Sequence, residues 1–526
     1  MVAIPAGPLR TTIWTGRAVP VFVLALAAVC ALLLALPGQT ETTKYTNDLL
    51  VFLDGAYRIS WGQIPNRDFH SALGPLSFYI PAAGYLLTGS LGAAMPVGMA
   101  LVVLLLAPVL AHVLQSRFSP LVAIPFAALV LLVVAVPMNL GEGVADLSFA
   151  MFYNRVGWAM LALLLVMYVR PVRPYRRQLL LDALAAAFLV IFLCYLKISY
   201  GAVAVGFLVF LLVVEPRQRG WAAVALAITV AVGLLVEALW RSSAAHLADI
   251  LLAADVSGAV RGTLADRVGL VLRNLADITL YLLLVGFALW RTRSLRDLLF
   301  YGFCAASGYL LLNQNFQGWG MITLLAGAAV AAENLLAAGE PSPDRLPSKL
   351  ALGAPLLFLG MAAPAAIPCV VALGLHAALA TARAGDDFVL PNLDGVRLVD
   401  LWAPGDHRFH SNYLNSIRNG ELALAALGPD AGRVYVLDFV TPFNAGLELQ
   451  PPGGDTAWQH WNRTFNADHY LPPEDVLKGV KVVMEPKYPV EHLTYAGLRD
   501  LYMPYVRANF QLAVENVDWW VWVARE

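Results

Sequence analysis

Charge is what this sequence has least of. Only 13% of its 526 residues are Asp, Glu, Lys or Arg, about half of the roughly 25% carried by a soluble globular protein. The charge nearly cancels, with 35 Lys and Arg against 36 Asp and Glu for a net of −1, and nothing forms the basic stripe that nucleic-acid binding requires. Cysteine is scarce as well. Cys30, Cys194, Cys304 and Cys369 all stand in apolar runs, where they read as small hydrophobes rather than disulfide or metal partners. None lies in the C-terminal part, which therefore has no internal disulfide. Also missing are a Gly-rich phosphate loop, a nucleophile elbow, a repeat with a period of about 20–50 residues and any low-complexity tract.

What the chain has instead is apolar length. Hydrophobic residues make up 59% of it, and its mean hydropathy is +0.67. A helix needs about 20 apolar residues to cross the roughly 30 Å hydrocarbon core. Spans are expected near 18–37, 94–114, 119–138, 151–169, 179–196, 199–215, 221–240, 271–290, 297–313, 319–338 and 350–378. The apolar stretch behind Arg10 and Arg17 is longer than the core of a cleavable signal peptide, so it reads as a retained first span.

Basic residues orient these spans, because Arg and Lys collect in cytoplasmic loops. They gather in Arg170–Arg177, at Arg217 and Arg219, in Arg291–Arg296, and at Arg345 and Lys349. With Arg10 and Arg17, all of them fall on one side if the apolar segment Pro75–Leu91 is interfacial. Counting 75–91 as a span would put the N-terminus opposite the other basic loops. The outer side then holds 38–93, 139–150, 241–270 and the tail from about 380. Trp221, Trp240 and Trp290 stand at span ends, as interfacial aromatics do.

The expected fold class is thus an α-helical polytopic membrane protein of about eleven transmembrane helices over 1–380, with 38–93 as a first outer loop bearing surface helices, followed by a small extracytoplasmic α/β domain over 381–526. In that domain Val434–Phe439, Val480–Met484 and Val517–Val523 read as strands, and Asn412–Leu427 and Tyr495–Asn509 as helices, the second kinked or broken at Pro504.

The first outer loop carries the informative residues. Leu50, Leu53, Tyr57 and Trp61 follow helical spacing beside the i,i+4 pair Asp54 and Arg58, which predicts an amphipathic helix on the membrane surface with Asp48 at its start. Then come a Gly-x-x-Pro-x-x-Asp-Phe turn ending at Asp68 and Phe69, and a Pro-Leu-x-x-Tyr segment ending at Tyr79. An acidic residue just past the first span, a surface helix, this turn and this segment resemble the GT-C superfamily of membrane glycosyltransferases, among them protein mannosyltransferases and aminoarabinose transferases.

The resemblance implies transfer of a sugar from a polyprenyl-phosphate donor, with inversion, to an envelope glycan, lipid or protein acceptor. It implies that Asp48 acts as general base or metal ligand. The cofactor stays open, a divalent cation such as Mg or Mn being one alternative. For Asp48 the plainer alternative is a helix cap. Glu142 and Asp146 in the second outer loop are further acidic candidates, or else members of a solvated loop. Arg155, which begins an apolar span, is expected to pair with one of them or with lipid phosphate. Cations for the donor phosphate are sought in Arg58, Arg67, His70, Arg155, Lys197 and Arg241, each of which could instead snorkel or pair locally; Asp68 and Tyr79 are counted with them as residues that bind the donor. His407 and His410 read as a surface pair, and Asn462-Arg-Thr464 as a chance sequon. Two rival classes remain, a transporter or flippase of envelope precursors and a non-catalytic assembly protein.

The orientation is checkable. Alkaline phosphatase fused after Ala382 is expected to be active and the same enzyme fused after Arg177 inactive; the reverse pattern would turn the whole chain over.

Overall fold

A computed structural model describes residues 17–172, 177–258, 263–314, 317–338, 349–428 and 431–525. Of the basic residues that orient the chain, Arg10, Arg173, Arg176 and Arg345 lie outside these. All eleven expected spans are helical. Seven are long and apolar enough to cross a membrane: Ala18–Ala35, Leu91–Arg117, Gln178–Leu196, Arg219–Trp240, Leu275–Thr292, Leu295–Gln314 and Gly353–Ala382 within the longer helix Lys349–Ala382. The other four are Pro120–Ala135, Phe152–Val166, Ile198–Val214 and Ile322–Ala338, roughly 23–26 Å long at the α-helical rise. Phe152–Val166 is buried at every residue, packed among its neighbours, and it is apolar throughout after Arg155.

The segment Leu76–Thr88 is a helix of 13 residues, about 20 Å long and short of the roughly 30 Å core. It folds back along Leu91–Arg117. Trp240 and Trp290 are exposed at helix ends. Trp221 is not interfacial as expected; it is buried and donates its indole N–H to Gln218 Oε1 at 3.2 Å.

Above the bundle the first outer loop and the tail form one body. Strand β1 (Thr40–Thr42) pairs in parallel with β3 (Val396–Leu398), and β2 (Asp386–Asp387) pairs antiparallel on the other side of β3. The helix Thr46–Ser60 follows. The sequence places its polar side in water; the structure corrects this, since everything from Leu49 to Arg58 is buried. The reason is a charge match the periodicity could not reveal. Arg58 donates Nε–H to Asp54 Oδ2 (2.6 Å), and its two terminal nitrogens grip Asp455 of the tail (2.7 and 2.8 Å). With the guanidinium satisfied from both sides, the tail covers the polar face of the helix.

The tail is an α/β layer structure. A four-stranded sheet runs β4 (Val434–Val436), β5 (Val482–Pro486), β7 (Trp519–Ala524) and β6 (Phe510–Glu515). Alternation sorts its side chains. Val434, Val436, Val482 and Met484 join Ile417 of the helix Pro404–Ala425 in a core continuous with the membrane bundle. Tyr435 and Val483 face the opposite way, onto Leu498, Tyr502 and Val506 of the helix His492–Asn509. That helix passes through Pro504 without breaking. Pro504 and Asp500 are exposed, so the carbonyl that loses its partner is left to water. Strand β6, unforeseen from sequence, is largely exposed at the sheet edge beside β7, although Phe510, Leu512 and Val514 alternate with Gln511, Ala513 and Glu515.

Asp455→Ala would strand a buried guanidinium, at an expected cost of about 3–5 kcal/mol, seen as a large fall in the melting temperature of the full chain in detergent. Arg67→Ala, which breaks an exposed pair with Asp68, should cost less than about 1 kcal/mol. Equal melting of the two variants would mean that the tail does not hang on Arg58.

Candidate functional site

The helix that carries Asp48 begins without a side-chain cap of its own. Tyr45, just before it, takes the left-handed conformation (φ 58°), turning the chain out of β1. The capping group comes from the tail. His410 Nε2 accepts the Tyr45 backbone N–H at 3.2 Å, and Nδ1 lies 3.0 Å from the Thr46 hydroxyl. An Nε2 that accepts carries no proton, so Nδ1–H donates to Thr46. Burial pushes this imidazole down to about 4, which keeps it neutral at neutral pH. His410 is therefore no member of a surface pair. His407 alone stays near the surface, 3.8 Å from the Asp386 carboxylate. His410 points inward with Tyr413, Leu414, Ile417 and Leu424 on the buried side of its helix.

Asp48 is the third residue of its helix and makes no capping bond. Among the described residues its carboxylate has no hydrogen bond or ion pair. It is half-buried. That burial pushes its carboxyl up to about 6, against the pull of Arg463 from the tail. One turn on, Phe52 packs against Phe152 (5.1 Å) and Tyr153 (6.1 Å), which sets the helix start beside the inner bundle.

The second outer loop converges on the same place. The Tyr45 hydroxyl donates to Glu142 Oε1 at 2.7 Å, and Lys44 stands 3.5 Å from Glu142 and 3.3 Å from Asp146. Asp146 also accepts the Gly143 backbone N–H. Asp48, Glu142 and Asp146 all act on the Tyr45 hydroxyl and raise it above its ordinary range, after the larger effect of burial. The three candidates are thus brought together but are not equivalent, since two are paired with Lys44 and Asp48 is not. They do not fit a metal-ligand set. Lys44 takes the place between Glu142 and Asp146 that a cation would need, and among the described residues no three His, Cys, Asp or Glu side chains converge to hold an ion.

A cavity of about 170 Å³ opens where helix ends meet the tail, lined by Tyr153, Lys197, Gln314, Trp458 and Arg463 among others. Lys197 is the single residue between Gln178–Leu196 and Ile198–Val214. Its ammonium donates to Asn154 Oδ1 at 3.1 Å and sits 5.1 Å from the Tyr153 ring centre. The first outer loop presses on this turn directly. A Cβ on Gly74 would collide with the backbone carbonyl oxygens of Tyr195 and Leu196, and Ser77 donates to the Leu196 carbonyl. Arg463 reaches the cavity from the tail, 5.0 Å from the Trp458 ring.

The remaining sequence candidates have other partners. Arg58 is enclosed by Asp54, Asp455 and the Pro452 carbonyl, with no face left for a phosphate. Asp68 closes its turn by accepting the Ile64 N–H at 2.8 Å and pairs with Arg67. Tyr79 is half-buried beside Trp240. Arg241 is exposed at the end of Arg219–Trp240. Arg155 pairs with neither acidic candidate; it is buried, donates to Asn139 Oδ1 and the Ala150 carbonyl, and stays out of the cavity lining. His70 Nδ1 lies 2.7 Å from Asp249. Sequence reasoning missed Lys44, Asp249, His410 and Arg463. Only His410 had a visible signal, the helical spacing it shares with Tyr413, Leu414 and Ile417.

No protein-family model matches the chain, and no curated protein does. Among solved structures it is similar to ArnT from Cupriavidus metallidurans bound to undecaprenyl phosphate, at 12% identity and a TM-score of 0.47 over 96% of this chain and 98% of that one. It is also similar to the apo state of the same protein, at 13% identity and a TM-score of 0.46 over 95% and 97%.

His410→Phe keeps the bulk but leaves the Tyr45 N–H buried and unpaired, which is expected to cost about 1–3 kcal/mol. The full chain should melt earlier. It should also be cut by protease sooner near residue 45 than near residue 433, on the far side of the tail. Cleavage at both places with one rate would assign His410 to general stability alone.

Proposed function

We propose that this chain is a membrane glycosyltransferase that takes its sugar from a polyprenyl-phosphate donor at the extracytoplasmic face of the plasma membrane and passes it to an envelope glycan, lipid or protein acceptor. The observation that carries this reading is the cavity at the helix ends, with Lys197 from the bundle and Arg463 from the tail on its wall and Asp48 in the field of Arg463. A prenyl chain belongs in lipid and a sugar phosphate in water. A donor joining the two suits a cationic cavity at their boundary, beside apolar helices.

The chemistry asks little more of the residues. The acceptor oxygen attacks the anomeric carbon as the bond from that carbon to the phosphate oxygen breaks. The electron pair leaves with the phosphate, whose growing charge Lys197 and Arg463 would stabilise. The acceptor proton goes to Asp48. A base that titrates at about 6 is mostly ionised at neutral pH yet still basic enough to accept a proton, the condition general-base catalysis favours. One displacement of this kind inverts the anomeric centre. The resemblance of the first outer loop to the GT-C superfamily supports the same assignment from sequence.

Asp48 and Lys197 separate into different measurements. Asp48→Asn is expected to lower transfer at least about 100-fold in a deletion strain that carries the variant, read by mass spectrometry of envelope glycans, while binding of undecaprenyl phosphate to the purified chain stays near wild type. Lys197→Ala should instead weaken that binding about 10-fold or more. The folded state holds the Asp48 proton more tightly than the unfolded chain does. Ionised Asp48 therefore costs stability, a cost absent below the ordinary value of 3.8 and complete above about 6. Asp48→Asn should accordingly melt at or above the wild-type temperature at pH 7, with any gain gone by about pH 4. Transfer retained above half of wild type would move the base to the second loop.

A further inference from the structure

Next to the main cavity lies a smaller one of about 30 Å³, and the two share Ala72, Trp458 and Thr464 in their linings. A void needs at least about 10–15 Å³, on this measure, to hold one water, so the side pocket admits one or two water-sized groups. Its polar wall is nearly used up. Gln459 accepts from the Tyr435 hydroxyl and donates to the Asp438 carbonyl. The Thr464 hydroxyl is engaged with the His460 backbone. Asp249 gives one oxygen to His70 Nδ1 at 2.7 Å and the other to the Ser71 N–H and the Asn66 amide.

Three polar groups remain without a partner among the described residues, one of them the buried indole N–H of Trp458. Asp249 fixes the His70 ring and holds the proton on Nδ1, so Nε2 is left over. Thr456, which forms a β-bridge with His70, lines the same pocket and brings a second hydroxyl-bearing side chain. Among the described residues neither Nε2 nor the Thr456 hydroxyl has a protein partner.

We infer that the side pocket takes the exocyclic hydroxymethyl group of the donor sugar, with its hydroxyl bound by His70 Nε2 and the Thr456 hydroxyl, so that the sugar is a hexose bearing a free hydroxymethyl rather than a pentose. This rests on the polyprenyl-phosphate reading above. With the phosphate against Lys197 and Arg463, the sugar leads toward the shared wall. The two heavy atoms of a hydroxymethyl match the volume. A hydroxyl both donates and accepts, so it can bond to either His70 Nε2 or the Thr456 hydroxyl.

The test uses the full chain in lipid nanodiscs with four probes: undecaprenyl phosphate linked to glucose, xylose, galactose or arabinose, all as pyranosides. Glucose and xylose differ by one hydroxymethyl, as do galactose and arabinose. Each hexose is expected to bind at least about 10-fold more tightly than its pentose counterpart, and Thr456→Val and His70→Ala should each shrink that ratio to within about 3-fold. The near-isosteric valine keeps the test alive if the histidine variant fails to fold. Equal binding of hexose and pentose by the wild type, or a ratio unchanged in Thr456→Val, would overturn the inference and leave the glycosyltransferase reading intact. Failure of undecaprenyl phosphate itself to bind would remove that reading and the inference with it.

Discussion

A guanidinium shut away from water has to be matched on every side, and Arg58 is matched by Asp54 one turn back and by Asp455, 397 positions on in the tail. Removing either acid would leave a charge in a place where charge is very costly. The first outer loop and the tail therefore cannot part without exposing this ion cluster. Smaller contacts follow the same seam. β1 lies along β3, the His70 N–H donates to the Asp455 carbonyl, and the Gly454 N–H donates to the Asp68 carbonyl. Each is an ordinary hydrogen bond that a fixed seam makes possible.

On that seam the charges divide by origin. Lys197 belongs to the membrane bundle, held at a one-residue break between two helices. Asp48 belongs to the first outer loop, on a helix whose start is set by a tail histidine. Arg463 belongs to the tail. No single segment owns the arrangement, so a shift of any layer changes the distance between acid and cations. The neutral state of His410 suits this role. A protonated imidazole could not accept the Tyr45 N–H, and burial at that spot opposes protonation.

Much of the fold could be read from the sequence because apolar length is a local property. All eleven runs became helices with ends displaced by a few residues. The tail strands β4, β5 and β7 announced themselves by short apolar runs. What could not be read was the pairing of distant segments. Thr40–Thr42 has no strand signature and exists as β1 only because β3 lies beside it. The amphipathic pattern of Thr46–Ser60 was real, but periodicity cannot say whether a polar face meets water or an opposite charge. The site divided in the same way. Asp48 and Lys197 stood at boundaries between apolar and polar sequence and could be found there. Arg463 sat inside what reads as a chance sequon. Arg155 begins a span and so calls for Glu142, Asp146 or a lipid phosphate as partner, yet it donates to Asn139 and the Ala150 carbonyl instead.

The seam between loop and tail also fixes an order of events during synthesis. Asp455 leaves the ribosome 397 residues after Arg58, and His410 365 residues after Tyr45. At about 5–20 residues per second, the first outer loop must wait on the order of 20–80 s for its partners. During that interval Arg58 is held by Asp54 alone, and the helix bearing Asp48 has no cap. A chain stopped short of the tail would carry the whole bundle and yet lack Arg463, the Asp455 clasp and the His410 cap. Asp48, Lys197 and Arg463 can therefore share one cavity edge only in a chain that has been made through Arg463.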